Sequence, residues 1–527
     1  MHPSLNADII RLFACELVES ELKATAVSLA CCCKRFEDLV LDVLWKEQDL
    51  LTPLLKCLPQ ETWVQHFRSF VSQPVVSSSF PPLNHLSRKR FQRIPTKAEW
   101  TRVKKYARRI RKLNVDDFFD SVDSETLLAL QLRTTDEPFL PRLKCFECFI
   151  VKNGFIPFIP LFLSPQTTKI SIQTEFNEGQ GPSTMAVASI TAMLPKLCPN
   201  LEHIAVSGVE RNQLMTDAAS EMLLACNREA LRSFEVYASL TEEAREVLSR
   251  LPKLSKLWLV VEGHTLLSPV TLLNLTGIYV EYDDHLDWLE AFRGASLEKL
   301  ESVSFHSKSA QIGDFLGAFE SVALTASLQD TLLRFCSHTA RSGNPNYRSL
   351  LSFKQLRELT VCFACDGDCS SVDDEVVTSL AQAMPKLEVL QLGGIPCETG
   401  SGVTVHGLIT LASHCLHLST LMIHFQADSF ASAVTSAGAR FPSINEPPVP
   451  REECALTVLE VGRIPFAVQD TATIAMLLLE IFPHILELKY TSQRKWQQVA
   501  ENIRNFKRIG PFVRCASKAR PVTTNNP

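Results

Sequence analysis

No apolar run in this 527-residue chain reaches the roughly 18 residues that a membrane-spanning helix needs. The best stretch, Ile474 to Phe482, is short and broken by Glu480. The opening MHPSLNADIIRLF lacks the basic start of a secretory signal and sets Asp8 and Arg11 among its apolar residues. Without a span or a leader, the expectation is a soluble chain kept inside the cell, in the cytoplasm, the nucleus or both. Also missing are a Gly-rich phosphate loop, a G-x-S-x-G elbow, an H-E-x-x-H helix and the zinc-deaminase pattern. These absences point away from an enzyme, and no residue is assigned as catalytic.

Cysteine is plentiful, 17 in all, but the patterns that would make it a ligand or a cross-link are missing. Spread over a long chain held in a reducing compartment, the thiols read as free and buried. Cys31, Cys32 and Cys33 are consecutive on a helix, about 100° apart, and cannot all face one metal. Cys145 and Cys148 lie three apart on a strand and point to opposite faces. Cys362, Cys365 and Cys369 have no histidine or second pair at finger spacing, and Asp366 to Glu375 lacks the ligand alternation of a calcium loop. No metal or other cofactor is expected.

What is present is an uneven distribution of charge. The chain is 46% apolar and 21% charged, with a net charge of −5. Arg88 to Lys112 holds twelve Lys and Arg against one acid, Glu99, which leaves −16 on the remainder. From Lys97 to Ile110, Trp100, Val103, Tyr106, Ala107 and Ile110 recur at helical spacing with basic residues on the other faces. Three readings stay open for this helix: a solvated connection between two bodies, a nuclear-import or nucleic-acid patch, or a basic surface that docks on acidic protein. The aromatic residues fall on the apolar stripe and not among the arginines, which argues against base stacking.

The first 47 residues predict three short amphipathic helices, the first capped by Asp8 and the second opening at Glu21. Such a bundle buries too little apolar surface to be comfortably stable alone and leans on a partner. Pro3 and Leu5, the helix Ile9-Ile10-x-Leu12, the run ending Cys33-Lys34-Arg35-Phe36 and the closing Leu44-Trp45 resemble an F-box. The following LWKEQDLLTPLLKCLP and IPTKAEWTRVKKYARRIRKL resemble the F-box proteins abundant in mushroom-forming fungi. That resemblance implies contact with a Skp-family adaptor through Pro3, Leu5, Ile9, Ile10, Leu22 and Trp45, and through the adaptor with a cullin.

Beyond the basic segment, the spacing L-x-x-L-x-L returns again and again. It stands at Ile110-Leu113-Val115, Leu143-Phe146-Cys148, Leu201-Ile204-Val206, Leu356-Leu359-Val361 and eight further places to Ile485-Leu488-Tyr490. A poorer copy lies at Thr167-Ile170-Ile172, and Leu328 to Phe335 hides another. Each triple predicts a short strand with an inward face, and segments such as DDEVVTSLAQAMPKL between them read as helix. The array resembles leucine-rich repeats, and MLPKLCPNLEHIAV with ITLASHCLHLSTLMI resembles the cysteine-containing subtype.

The predicted fold class is α/β. A three-helix F-box bundle (1–47) leads through a helical or linker segment (48–96) and a basic helix (97–112) into a leucine-rich-repeat solenoid (113–505). Parallel strands would line its concave face and helices its convex face, and a disordered tail (506–527) would end the chain. The resemblance implies the substrate-recognition subunit of a Skp–cullin–F-box ubiquitin ligase, holding an unidentified protein substrate, with no nucleic-acid or membrane partner. The alternatives are a nuclear scaffold contacting nucleic acid through 88–112, or a repeat scaffold without a ligase role. Trp258 and Tyr279 occupy equivalent positions on successive strands, about 4.8 Å apart, and are the candidate substrate-binding patch. The −16 body favours a partner with a basic surface.

Overall fold

The computed structural model describes residues 7–67, 87–116, 122–134, 137–150, 155–174, 183–208, 210–261, 274–282, 299–307, 332–337, 347–363, 372–393, 402–427, 429, 454–461, 471–490 and 494–518. The chain divides into two compact units, 1–260 and 261–527.

The first unit begins with three helices, α1 (Ala7–Glu19), α2 (Lys23–Cys32) and α3 (Lys34–Leu44). Residues four and seven apart on α1, Ile10, Ala14 and Leu17, close over Ala26, Ala30, Phe36 and Val40 in one small core. A Schellman turn ends α1: the Leu22 N–H donates to the Leu17 carbonyl and the Glu21 N–H to that of Val18, with Glu21 at φ 60.

Strands and helices then alternate. The first unit carries β1 (Glu47–Gln48), the antiparallel pair β2 (Trp63–Phe67) and β3 (Ser87–Phe91), then β4 (Lys112–Asp116), β5 (Cys145–Ile150), β6 (Lys169–Thr174), β7 (His203–Ser207), β8 (Ser233–Val236) and β9 (Lys256–Val261). Its main sheet runs β1-β4-β5-β6-β7-β8-β9, all parallel. The second unit carries β10 (Gly277–Tyr282), β11 (Ser302–Ser307), β12 (Leu332–Ser337), β13 (Glu358–Phe363), β14 (Val389–Leu392), β15 (Thr420–Ile423), β16 (Val458–Val461) and β17 (Glu487–Tyr490). These are parallel in chain order. The second and third residues of each sequence triple fall on a strand, including the poorer copy (β6), and β12 overlaps the stretch 328–335 expected to hide one and runs two residues past it. Their side chains are almost all buried against the helices, while the alternating residues face outward.

A single hydrogen-bond device joins neighbouring repeats. The carbonyl before one strand accepts from two consecutive N–H groups of the next: Lys46 from Arg111 and Lys112, Arg111 from Lys144 and Cys145, Lys144 from Thr168 and Lys169. It recurs in the second unit, where Arg357 serves Glu388 and Val389 and Glu388 serves Ser419 and Thr420. The helices between strands start on side-chain caps, with Asp123, Asn212, Thr241 and Asp373 each accepting from the N–H three residues on.

Several boundaries differ from expectation. The basic helix spans Lys97–Ala107, closed at its start by a Thr96–Glu99 capping box, and does not reach Lys112. Lys112 opens β4 instead, because its N–H and that of Arg111 are taken by the Lys46 carbonyl. The segment 48–96 holds the β2–β3 hairpin, paired from Trp63 with Phe91 to Phe67 with Ser87. The stretch expected as tail from 506 continues a helix, Arg494–Lys518. That helix is anchored by Trp496, fully buried and edge-on to Phe425 at 5.8 Å. Residues 519–527 lie outside the described set.

Candidate docking surfaces

On α1 a second apolar row runs beside the core row. Ile9, Leu12 and Phe13 lie three and four residues apart and are each more than half exposed. Leu22 at the α1–α2 turn and Val27 on α2 are exposed to the same degree. A helix this small needs only one buried stripe, so the outer row contributes nothing to the bundle's core. Ile9 and Ile10 are adjacent and about 100° apart, and therefore cannot share a face. Ile10 is a core residue, 3% exposed, and leaves the set of surface contacts. Leu12, Phe13 and Val27 were not among the contacts expected from the sequence, although counting three and four residues on from Ile9 would have reached the first two. Pro3 and Leu5 lie outside the described residues.

Trp45, at the end of α3, is half-buried. Its ring packs on Tyr106 of the basic helix with centroids 4.8 Å apart. Around this contact, Arg109 donates to Asp38 at 2.5 Å and to Asp42, and Lys105 lies 3.4 Å from Glu37, all on α3. On the other side of the basic helix, Lys104 and Arg108 reach Glu137 at 3.7 and 3.3 Å. Arg93 makes a two-pronged contact with Glu99 at 2.7 and 2.9 Å, and Arg90 pairs with Glu125. The Arg93 hydrogen bonds, with those from Thr96, hold the Glu99 carboxyl down to about 2 from 4.5. Lys112 pairs with Glu147 at 3.2 Å. The basic segment thus meets carboxylates supplied from distant parts of its own unit. Lys105 and Arg108 nevertheless remain about half exposed while making these contacts.

On the open sheet faces, Trp258 and Tyr279 are both half-buried. Trp258 closes the first unit's sheet, where its ring stands edge-on to Tyr237 at 5.9 Å and Arg211 lies over the Tyr237 ring at 4.6 Å. Tyr279 belongs to the second unit, on β10, level with Ser304 of β11.

The cysteines divide by depth. Cys198, Cys226 and Cys415 are buried, and burial pushes each thiol up to about 12. Cys148 is buried while Cys145 faces the open side, as their strand spacing requires. Cys31 and Cys32 are exposed at the end of α2, and Cys33 turns the chain into α3 with φ −162. Among the described residues no group of three or more His, Cys, Asp or Glu is placed to hold a metal ion, and no helix is long and apolar enough to cross a membrane. The side chains of Cys362, Cys365 and Cys369 lie outside the described set.

No protein-family model matches the chain, and no curated protein does either. Among solved structures it is similar to one titled "Crystal structure of Rad7 and Elc1 complex in yeast". The TM-score is 0.33 and the identity 16%, over 62% of this chain and 72% of that one.

Proposed function

We propose that this chain is a substrate receptor of the F-box type, with a leucine-rich-repeat body. In this reading the outer row of the bundle, Ile9, Leu12, Phe13, Leu22 and Val27, docks on a Skp-family adaptor and through it on a cullin. The open face of the repeats holds a protein to be ubiquitinated. The receptor performs no chemistry; it raises the local concentration of one protein beside an enzyme that acts on it.

The observation that carries the reading is the outer apolar row. Five large apolar side chains stand more than half exposed on a bundle of under fifty residues, whose core is already filled without them. Exposed apolar surface at that density marks a protein contact. The joint between bundle and repeats supports it too. Trp45 on Tyr106, Arg109 between Asp38 and Asp42, and β1 paired into the sheet fix how the docking row is held in the first unit. The ion pairs of the basic segment weaken the nucleic-acid alternative, since a phosphate would have to displace carboxylates already in place.

The test is co-purification of adaptor and cullin with the full chain, beside the double variant Ile9→Asp with Leu22→Asp. A control, Leu128→Asp with Leu132→Asp, alters two exposed apolar residues on the Ser124–Arg133 helix instead. Capture lost only in the first variant supports the reading. A folded wild-type chain that captures neither protein would refute it.

A further inference from the structure

In the second unit, strand register aligns an inward row at Val280, Phe305, Phe335 and Val361. One residue further along each strand, alternation returns to the open face, and there the row reads Glu281, His306, Cys336 and Cys362 on β10 to β13. Among the described strands no other row brings two cysteines side by side, and here a histidine and a carboxylate adjoin them. The side chains of Cys336 and Cys362 lie outside the described set; their strand positions do not. Local spacing gives Cys362 no histidine at finger distance, but the sheet supplies His306 from two strands away.

Neighbouring strands lie about 4.8 Å apart. With bonds of about 2.3 Å to sulfur and about 2.0 Å to nitrogen, a thiolate holds a zinc-like ion up to about 4.5 Å from its own Cα and an imidazole up to about 6.5 Å. An ion over Cys336, displaced slightly toward Cys362, is within that reach of His306, Cys336 and Cys362 together. Glu281 is two strands from Cys336, about 10 Å, and lies beyond it. It adjoins His306 instead, and it is 2% exposed, a depth at which a carboxylate is costly unless it meets a donor or a cation. A carboxylate beside a ligating imidazole fixes the tautomer of the ring and strengthens it as a ligand.

We propose that this row binds one divalent ion of the zinc class, with Cys336 and Cys362 as thiolate ligands, His306 as the imidazole ligand and Glu281 as the carboxylate that positions His306. Two thiolates and an imidazole suit a borderline-soft ion over magnesium or calcium, which take oxygen ligands. The two thiolate charges neutralise the ion. Three protein ligands leave the fourth tetrahedral position to water or to a side chain of a bound protein. Binding displaces the thiol protons and therefore weakens as pH falls. The row belongs to the second unit and the docking row to the first, so the site does not depend on the receptor reading.

The experiment is titration of the full, reduced, metal-free chain with Co2+, followed by displacement with Zn2+. The expected result is one equivalent of Co2+ per chain, with tetrahedral visible bands and a near-ultraviolet thiolate-to-cobalt band that Zn2+ abolishes. That band should fall by about half in Cys336→Ser or Cys362→Ser and vanish in the double variant, while Cys365→Ser with Cys369→Ser leaves it intact. Affinity should drop about tenfold or more in His306→Ala and in Glu281→Gln, the latter with the thiolate band unchanged. A carboxylate with a purely structural part would leave the metal affinity alone. Circular dichroism of each metal-free variant separates lost binding from lost fold. Alkylation of the wild-type chain, read by mass spectrometry, asks the same question without substitution: Zn2+ should protect Cys336 and Cys362 and leave Cys365 and Cys369 reactive. No bound ion, a thiolate band that survives loss of both Cys336 and Cys362, or protection of Cys365 and Cys369 in their place would overturn the proposal.

Discussion

The first unit ends its repeat sheet with charge, and the second ends its own with apolar burial. At the first end, the two-residue strand β1 pairs with β4, and the basic helix is held to α3 by Arg109, Lys105 and the Trp45–Tyr106 contact. At the last end, the Arg494–Lys518 helix packs over β17 and the Thr471–Ile481 helix and sinks Trp496 completely. A stack of repeats needs a cap at each end, because a terminal repeat has no neighbour to cover its apolar face. The two caps solve that problem with forces of different range and different sensitivity to salt, pH and cavity formation.

The largest effect should come from emptying the apolar cap. Trp496→Ala removes a fully buried ring and is expected to cost about 3–5 kcal/mol, read as a lowered denaturant midpoint that is little changed by salt. A loss under about 1 kcal/mol would mean the helix does not cap the stack in the way described.

A polar joint inside the second unit should come next. Asp374 accepts from the Thr404 and Gly407 N–H groups of the following repeat at 2.8 and 3.1 Å, and a Cβ on Gly407 would come within 2.6 Å of that carboxylate. Gly407→Ala should therefore cost about 1–3 kcal/mol by overpacking, and less when Asp374→Ala is already present. Equal costs in the two backgrounds would show that the carboxylate is not what excludes a side chain there.

At the charged cap, Arg109→Ala should cost about 1 kcal/mol, since its partners Asp38 and Asp42 are 70% and 50% exposed. The cost should shrink as salt is raised, unlike that of Trp496→Ala. The same salt response in both variants would erase the distinction between the caps.

The smallest effect is a pH dependence. Glu99 is held down to about 2 from 4.5, so in the folded chain it binds its proton less readily than in the unfolded one. Its contribution is present above 4.5 and is lost as pH falls through about 2. Glu99→Gln should be less stable than wild type at neutral pH, with the gap closing in acid. A gap independent of pH would assign the capping box to hydrogen-bond geometry alone.

These contrasts also mark where the sequence was legible. Triples such as Leu356-Leu359-Val361 announce a strand because the apolar period is local, and even Thr167-Ile170-Ile172 keeps enough of it. Glu47–Gln48 has no such period; it is a strand only because Lys112 and Leu113 pair with it. The basic segment was visible as charge, but its neutralising acids come from about 30 residues onward, at Glu137, and about 70 backward, at Asp38. No local pattern records that meeting. The helix over 506–518 was hidden because Gly510 and Pro511 interrupt its pattern with two poor helix formers, while its anchor, Trp496, lies ten residues before that stretch. For the docking row, the family resemblance named Ile9 and Leu22, but only packing separates Ile9 from Ile10.

The most direct test of the central claim is a titration of purified full-length chain with a recombinant Skp-family adaptor, followed by size-exclusion chromatography with light scattering. The account predicts a one-to-one complex that Ile9→Asp with Leu22→Asp abolishes and Leu128→Asp with Leu132→Asp leaves intact. A folded wild-type chain that elutes apart from the adaptor, or a complex indifferent to the bundle substitutions, would contradict it.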